Sequence, residues 1–312
     1  MKKTTNNRNI VELSPGVFRA LPDTARRLAA WLSPNPADTT NGLLTIPAAA
    51  SGPILTNFVQ PNFNAASPSY IVADQLIFEQ SSNGTATNNS TVKLTDANFN
   101  TDLMANPLHM RAVFGTAQLP GILHEPLVLV ANSGLRAIIK QLSGGSVTMR
   151  PYVAGVELFG DDRVIISRLL ERKRYVQPFF MMPDDTATIT LDANGEEKFI
   201  SQNGRGHFQA LSLVGISTGE FGVEIIEGRT RRSISNGLIW KTAGIGTAQY
   251  PYEFRCPFLI PRGNDISWRI VDKSGSENTV HIALQGKMYD CPIREIPEVE
   301  RELFMPYDLL RI

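Results

Sequence analysis

The chain reads as all-β: two tandem jelly-roll-like antiparallel β-sandwiches, with a short N-terminal helix and extended terminal arms. Three observations predict this. The first is a duplication, because Gly115-Thr116-Ala117-Gln118-Leu119-Pro120 returns as Gly246-Thr247-Ala248-Gln249-Tyr250-Pro251, 131 residues later. A gapless slide by that offset also lays Pro126 on Pro257, Ile139 on Ile270, Ser143 on Ser274, Gly144 on Gly275 and Gly155 on Gly286. The second is punctuation: 24 Gly and 20 Pro spread along the chain favour many short strands and turns over long helices. The third is size, since 312 residues exceed one ordinary core, while about 100–200 residues make a domain and the repeat length falls in that range.

Taken in order, residues 1–45 match neither copy and are expected to form an arm. Asp23 is a suitable N-cap for TARRLAAWLS, where Leu21, Ala25, Leu28 and Leu32 recur on one helical face and Ser33-Pro34 stops the run. The first sandwich is expected over 46–158. In it Tyr70-IVADQLIF and Val92-Lys93-Leu94-Thr95-Asp96 read as strands, matched in the second copy by Phe208-QALSLVGI and Val223–Glu227. The polar run Ser81–Thr91 between them reads as a long hairpin loop, which accounts for the triplets NGT, NNS and NST without any sugar. A connector over 159–176 carries Arg163, Arg168, Arg172, Lys173 and Arg174, read as solvated or ion-paired charges.

The second sandwich is expected over 177–290. Its strand candidates are TATITL, EEKFIS, HFQALSLVGI, GVEIIE, RSIS, FRCPFLI, DISWRIVD and TVHIALQGKM. Asn194-Gly195 between the first two is a hairpin signal, because both residues tolerate positive φ, and Pro261–Asn264 and Lys273–Ser276 are further turns. About eight short strands per copy suit a two-sheet jelly roll. The GTAQ segments read as loops whose glycine permits an unusual backbone turn. Residues 291–312 form a C-terminal arm, punctuated by Pro292, Pro297 and Pro306, with apolar letters at Ile293, Ile296, Val299, Leu303, Phe304, Met305, Leu309 and Leu310. Such a tail docks either across a subunit boundary or back on the second sandwich.

The chemistry is sparse. Thirty Lys+Arg balance thirty Asp+Glu, so the whole chain offers no field for nucleic acid or an anionic membrane, and its expected partners are proteins. Arg229, Arg231 and Arg232 read as loop charges. Cys256 and Cys291 are too few for a stapled secreted framework, which favours a reduced intracellular setting and leaves a disulfide between them open. MKKTTNNRNI lacks an apolar run behind its lysines, and no stretch approaches the roughly 18–20 apolar residues of a membrane span, so a soluble protein without a signal is expected. His109, His124, His207 and His281 are scattered with no metal-ligand spacing. Asp184-Asp185 and Glu196-Glu197 do not build a paired-carboxylate or calcium site, and no nucleophile elbow, phosphate loop or CxxC is present. No catalytic, cofactor-binding or metal residue, no cofactor and no enzymatic activity are expected.

The second copy, with YVQPFF, FGVEIIEGRTRRSISNGLI and above all the run from Gly246 to Lys287, resembles a β-sandwich of virion structural proteins of tailed bacteriophages. The resembling motif runs GTAQ, Pro251, Pro257, then Asp272, Ser274-Gly275 and Asn278-Thr279-Val280, where the first copy has Val147-Thr148-Met149. The resemblance implies a non-enzymatic minor capsid, decoration or neck/collar component, assembled in the host cytoplasm and resident in the virion. It would form a ring or symmetric cluster through its arms, with itself and with capsid, portal or neck proteins as partners, and bind no specific nucleic acid and no membrane. The alternative is a carbohydrate-binding adsorption module, in which Trp240 and Trp268 stack on sugar rings.

Overall fold

A computed structural model describes residues 10–14, 17–20, 26–40, 43–59, 69–80, 89–97, 99–130, 134–159, 170–183 and 188–291. After a hairpin of β1 (Ile10–Ser14) and β2 (Val17–Ala20), the first sandwich is built from β3 (Arg26–Pro34), β4 (Thr39–Thr40), β5 (Leu43–Ile46), β6 (Ile54–Val59), β7 (Ser69–Gln80), β8 (Ser90–Asp96), β9 (Thr101–Asp102), β10 (Leu108–His109), β11 (Gly121–Val130), β12 (Leu135–Gln141) and β13 (Val147–Phe159). One sheet runs β3-β13-β7-β11 and the other β6-β12-β8-β10, all antiparallel. They touch at one corner, where Ser33 and Pro34 pair with Val59 and Phe58.

The second sandwich repeats this plan. Its strands are β14 (Val176–Met181), β15 (Ile189–Leu191), β16 (Glu196–Gln202), β17 (His207–Ser217), β18 (Phe221–Glu227), β19 (Ile239–Trp240), β20 (Tyr252–Ile260), β21 (Asp265–Asp272) and β22 (Asn278–Tyr289). Its sheets run β14-β22-β17-β20 and β16-β21-β18-β19. Strand for strand the order is that of the first sandwich, and both are jelly rolls of eight principal strands in two sheets. Along β21 buried and half-buried residues alternate, as the two-residue period of a strand with one face in the core requires.

The duplication extends to irregularities. On β7 the ladder to β13 skips Asp74, between Ala73 opposite Gly155 and Gln75 opposite Ala154. On β17 it skips Leu211, between Ala210 opposite Gly286 and Ser212 opposite Gln285. Ala73 therefore corresponds to Ala210, and the match of Tyr70 to Phe208 expected from sequence is one residue out of register. That slip would have exchanged the two faces of the strand. A larger bulge also recurs. Ile122 faces Gln75 and Leu127 faces Ala73, and likewise Glu253 faces Ser212 and Phe258 faces Ala210, so the chain bows outward at Pro126 and Pro257, neither of which has an N–H to pair.

Three sequence expectations are corrected. Residues 26–33, expected within a helix, lie in β3, whose backbone pairs with Val153–Phe159 of β13 just as β14 pairs with β22. Pairing along a long central strand outweighs the local helix propensity of a Leu- and Ala-rich segment. Asn194-Gly195 does form a tight turn, with Asn194 at φ +56° and the Gly195 N–H donating to Asp192 O at 2.8 Å. It is not a hairpin, because β15 pairs with β22 and β16 with β21, in opposite sheets. Nor do β7 and β8 form a hairpin around the polar run 81–91, since they too lie in opposite sheets. The C-terminal arm beyond residue 291 lies outside the described residues.

Gly155 and Gly286 sit where the bulged strand crosses most closely. A Cβ at Gly286 would lie 1.8 Å from Gln209 O, and one at Gly155 2.1 Å from Val72 O. Gly286→Ala and Gly155→Ala should each lower stability by about 3 kcal/mol or more. Gly144→Ala, where a Cβ meets nothing within 4 Å, should leave it unchanged within about 0.5 kcal/mol. Urea midpoints at constant slope measure both.

Candidate functional site

The feature that organises this molecule is the seam between its sandwiches. In the first, the edge between β10 and β11 opens toward β14, β17 and β22 of the second. Phe180, Met182, Val214 and Ala283 of the second sandwich belong to the first sandwich's core, packed with Leu103, Met104, Leu108, Leu123 and Leu127. Their chain neighbours Phe179, Met181, Leu213, Ile282 and Leu284 point the other way, into the second sandwich's own core. The sheet β14-β22-β17 thus buries both faces. Each Phe-, Met- or Val-sized side chain so covered contributes about 1.5–3 kcal/mol. Backbone contact joins the edge as well, the Phe180 N–H donating to Leu103 O at 2.9 Å.

The outward bow of β11 adds a polar lock. Glu125, 5% exposed, accepts a bidentate pair from Arg172 at 2.5 and 2.9 Å and meets Lys287 Nζ at 3.1 Å. Beside it His124 Nε2 lies 2.9 Å from Ser212 Oγ, and Gln285 Nε2 donates to Ile122 O. Lys173, in the helical residues 170–175, pairs with buried Asp96 at 2.7 Å, donates to Val128 O and lies 4.7 Å from the Phe99 ring centroid. Burial pushes the Lys173 amine down, and the Asp96 carboxylate opposes that shift. At the far end Arg205 spans the seam, donating to Asp102 O at 2.7 Å while paired with Asp290 at 2.8 Å.

The two GTAQ loops meet across the same seam. Each glycine bridges a central strand in parallel, Gly115 with Ile77 and Gly246 with Val214, and each follows a single helical turn, Met110–Val113 or Lys241–Gly244. Neither glycine needs positive φ, contrary to the expected backbone turn. What each needs is the absence of a Cβ, which would lie 2.0 Å from Leu119 O or Tyr250 O. Gln249 Nε2 donates to Thr116 Oγ1 at 3.1 Å and the Ala248 N–H to Arg111 O at 3.2 Å. Hence Ala248 is buried while its counterpart Ala117 is exposed.

The second sandwich has the same opening, and no described element covers it. Ile234, Ile239, Phe254 and Phe258 correspond to Leu103, Leu108, Leu123 and Leu127, yet are only half-buried and line a groove of about 620 Å³. Tyr252, Phe254 and Phe258 meet at steep interplanar angles along its rim, with ring centroids 5.9 and 5.2 Å apart. Where the first copy buries Glu125, the second exposes Cys256.

Of the residues weighed from sequence, His109 and His281 come together from opposite sandwiches, with ring centroids 5.2 Å apart, and His124 joins the seam. His207 sits elsewhere, accepting from the Arg262 N–H. Arg172 and Lys173 are ion-paired as expected, whereas Arg163, Arg168, Asp184 and Asp185 lie outside the described residues. Arg229, Arg231 and Arg232 occupy the loop after β18. Glu196 pairs with Arg269 at 2.9 Å, and Glu197 is exposed. Both cysteines are thiols, with no disulfide between them. Trp268 is 0% exposed and donates to Ser201 Oγ at 2.6 Å, while Trp240 packs against Gly222. The Asp272…Asn278 motif is a turn lock: Asp272 accepts from the N–H groups of Asn194 and Ser274 and from Asn278 Nδ2, and Asn278 Oδ1 accepts from the Gly219 N–H. Among the described residues no three metal-ligating side chains converge, and no helix is long and apolar enough to cross a membrane.

No protein-family model matches the chain, and no curated protein matches it. Among solved structures it is similar to a peptide-N(4)-(N-acetyl-β-D-glucosaminyl) asparagine amidase, with 8% identity and a TM-score of 0.37, over 86% of this chain and 97% of that one. It is similar to the STIV MCP, with 10% identity and a TM-score of 0.36, over 85% and 96%. It is also similar to VP2 of infectious bursal disease virus in a subviral particle, with 8% identity and a TM-score of 0.26, and there it spans 46% of the other chain. Likenesses of this strength carry no conclusion about what the chain does.

Removing Glu125 should expose how much the lock contributes. Glu125→Ala removes the buried carboxylate that Arg172 and Lys287 share and should cost about 3–5 kcal/mol, whereas Glu79→Ala, in an exposed pair with Arg150, should cost at most about 1 kcal/mol. Denaturant unfolding of the two variants makes the comparison.

Proposed function

We propose that the chain is a non-enzymatic structural subunit of a virion that associates with copies of itself head to tail. The observation that carries this reading is the unequal fate of one duplicated surface. The open edge of the first sandwich is sealed by the outer sheet face of the second, and the open edge of the second sandwich presents the same apolar positions unsealed. The matching occupant is the corresponding outer face of the first sandwich of another copy. There Tyr152 and Val156, both half-buried, stand where Ala283 and Lys287 stand in the second, beside Ile77 and Ala154, which are already buried within the chain. A head-to-tail contact of this kind uses two different patches, so it builds a closed ring when its rotation closes.

The finer reading is a tailed-phage particle, with the subunit at the neck or collar or on the capsid, in contact with capsid, portal or neck proteins. It is supported by the resemblance of Gly246–Lys287 to a virion β-sandwich. Host-cytoplasmic assembly and residence in the virion follow from the same reading. The carbohydrate-binding alternative loses its stacking residues, since Trp268 is fully buried and Trp240 lies on Gly222.

Tyr252→Lys and Phe254→Asp place a charge on the groove wall. Sedimentation of the purified chain should show concentration-dependent association that either variant abolishes with the far-ultraviolet spectrum unchanged. A wild-type chain that stays monomeric at every concentration, or variants that associate like wild type, would remove the reading.

A further inference from the structure

Three of the four histidines lie on the seam. His109 on β10 and His281 on β22 face each other from opposite sandwiches, both buried, with ring centroids 5.2 Å apart. His109 Nδ1 accepts from the Arg111 N–H at 3.2 Å, so a proton there would break that bond. His124, in the bow of β11, sits on Ser212, whose hydroxyl reaches Gln285 Oε1 at 3.4 Å. Charged groups of both signs surround them. Arg111 adjoins His109; Lys287, Arg172 and Glu125 surround the bow; Lys173 and Asp96 lie beneath it; Arg205, Asp102 and Asp290 close the far end.

We propose that mild acid opens the seam: protons on His109 and His124 place cations in a buried contact beside Arg111 and Lys287 and part the two sandwiches while each stays folded. The opening is confined to the seam within one chain. By the repeat, the counterparts of His109 and His124 at a copy-to-copy seam are Trp240 and Arg255, neither of which changes charge between pH 5 and 7. This contrast rests on the head-to-tail reading; the opening itself does not.

The sign follows from linkage. Burial, then His281 and Arg111, pushes His109 down to about 3, and burial, then Lys287, pushes His124 down to about 4, against an ordinary value of 6.5. A histidine held neutral by the closed seam contributes its full stability above pH 6.5 and loses it as pH falls toward those values. The opening constant then rises up to about tenfold per histidine for each pH unit.

Ala283→Cys, fully buried on the seam face of β22, reports opening when Cys256 and Cys291 are replaced by Ser and labelling uses an acid-tolerant disulfide reagent normalised to a free thiol peptide. Labelling should rise at least about tenfold from pH 6.5 to 5.0, with the near-ultraviolet circular dichroism of the sandwiches retained. Combined His109→Gln and His124→Gln should flatten that rise, and His124→Gln alone should lower its slope by one proton. Flat labelling in the wild-type background until the dichroism signal is lost, or an equal rise in the histidine variants, would overturn the proposal. Sedimentation at pH 5.0 tests the contrast separately: copies should remain associated, and their dissociation with the Ala283→Cys thiol still protected would count against the head-to-tail contact rather than against the acid-opened seam.

Discussion

Burial of both faces of one sheet governs this molecule. In an ordinary two-sheet sandwich each sheet has one apolar face and one solvated face. Here the sheet β14-β22-β17 sends Phe179, Met181, Leu213 and Leu284 into one core and Phe180, Val214 and Ala283 into the other. The first sandwich is completed by residues that lie in the second, while the second completes itself and keeps an open edge. The polar lock of Glu125 with Arg172 and Lys287, the meeting of the GTAQ loops and the packing of His109 on His281 all occupy the border of that shared surface.

This arrangement gives physical meaning to residues that look merely repetitive in sequence. The paired glycines at 115 and 246 let a loop close over its own backbone, and those at 155 and 286 let a bulged strand cross its neighbour. Pro126 and Pro257 sit in the outward bows that aim β11 at the seam and leave β20 facing outward. None of these positions is chemical; they set the path of the chain, and the path sets which surface is sealed.

Much of the fold was legible in the sequence for that reason. Backbone-determined positions survive duplication, so the GTAQ loops, the turns at Pro261–Asn264 and Lys273–Ser276 and most strands of the second copy could be read, although RSIS contributes only an isolated bridge at Ser233. The first strand of the first copy could not. RRLAAWLS carries helical spacing, and only its pairing along Val153–Phe159 makes it a strand; the absence of any other counterpart to VQPFFM was the signal available. Turns such as Asn194-Gly195 reveal their local φ but not whether the next strand joins the same sheet. The seam was the least visible feature of all, because Glu125 and Lys287, or His109 and His281, lie more than 150 residues apart and are joined only by the way two sandwiches pack.

The dependence of one core on the other sandwich can be measured by expressing the halves apart. Residues 170–291 alone should unfold cooperatively with Trp268 buried, because their core is their own. Residues 26–159 alone should unfold at a lower urea concentration than they do in the intact chain, because Phe180, Met182, Val214 and Ala283 are missing from their core, and should regain the difference on mixing with the other half. A first half that folds alone with the stability it has in the intact chain would contradict the account.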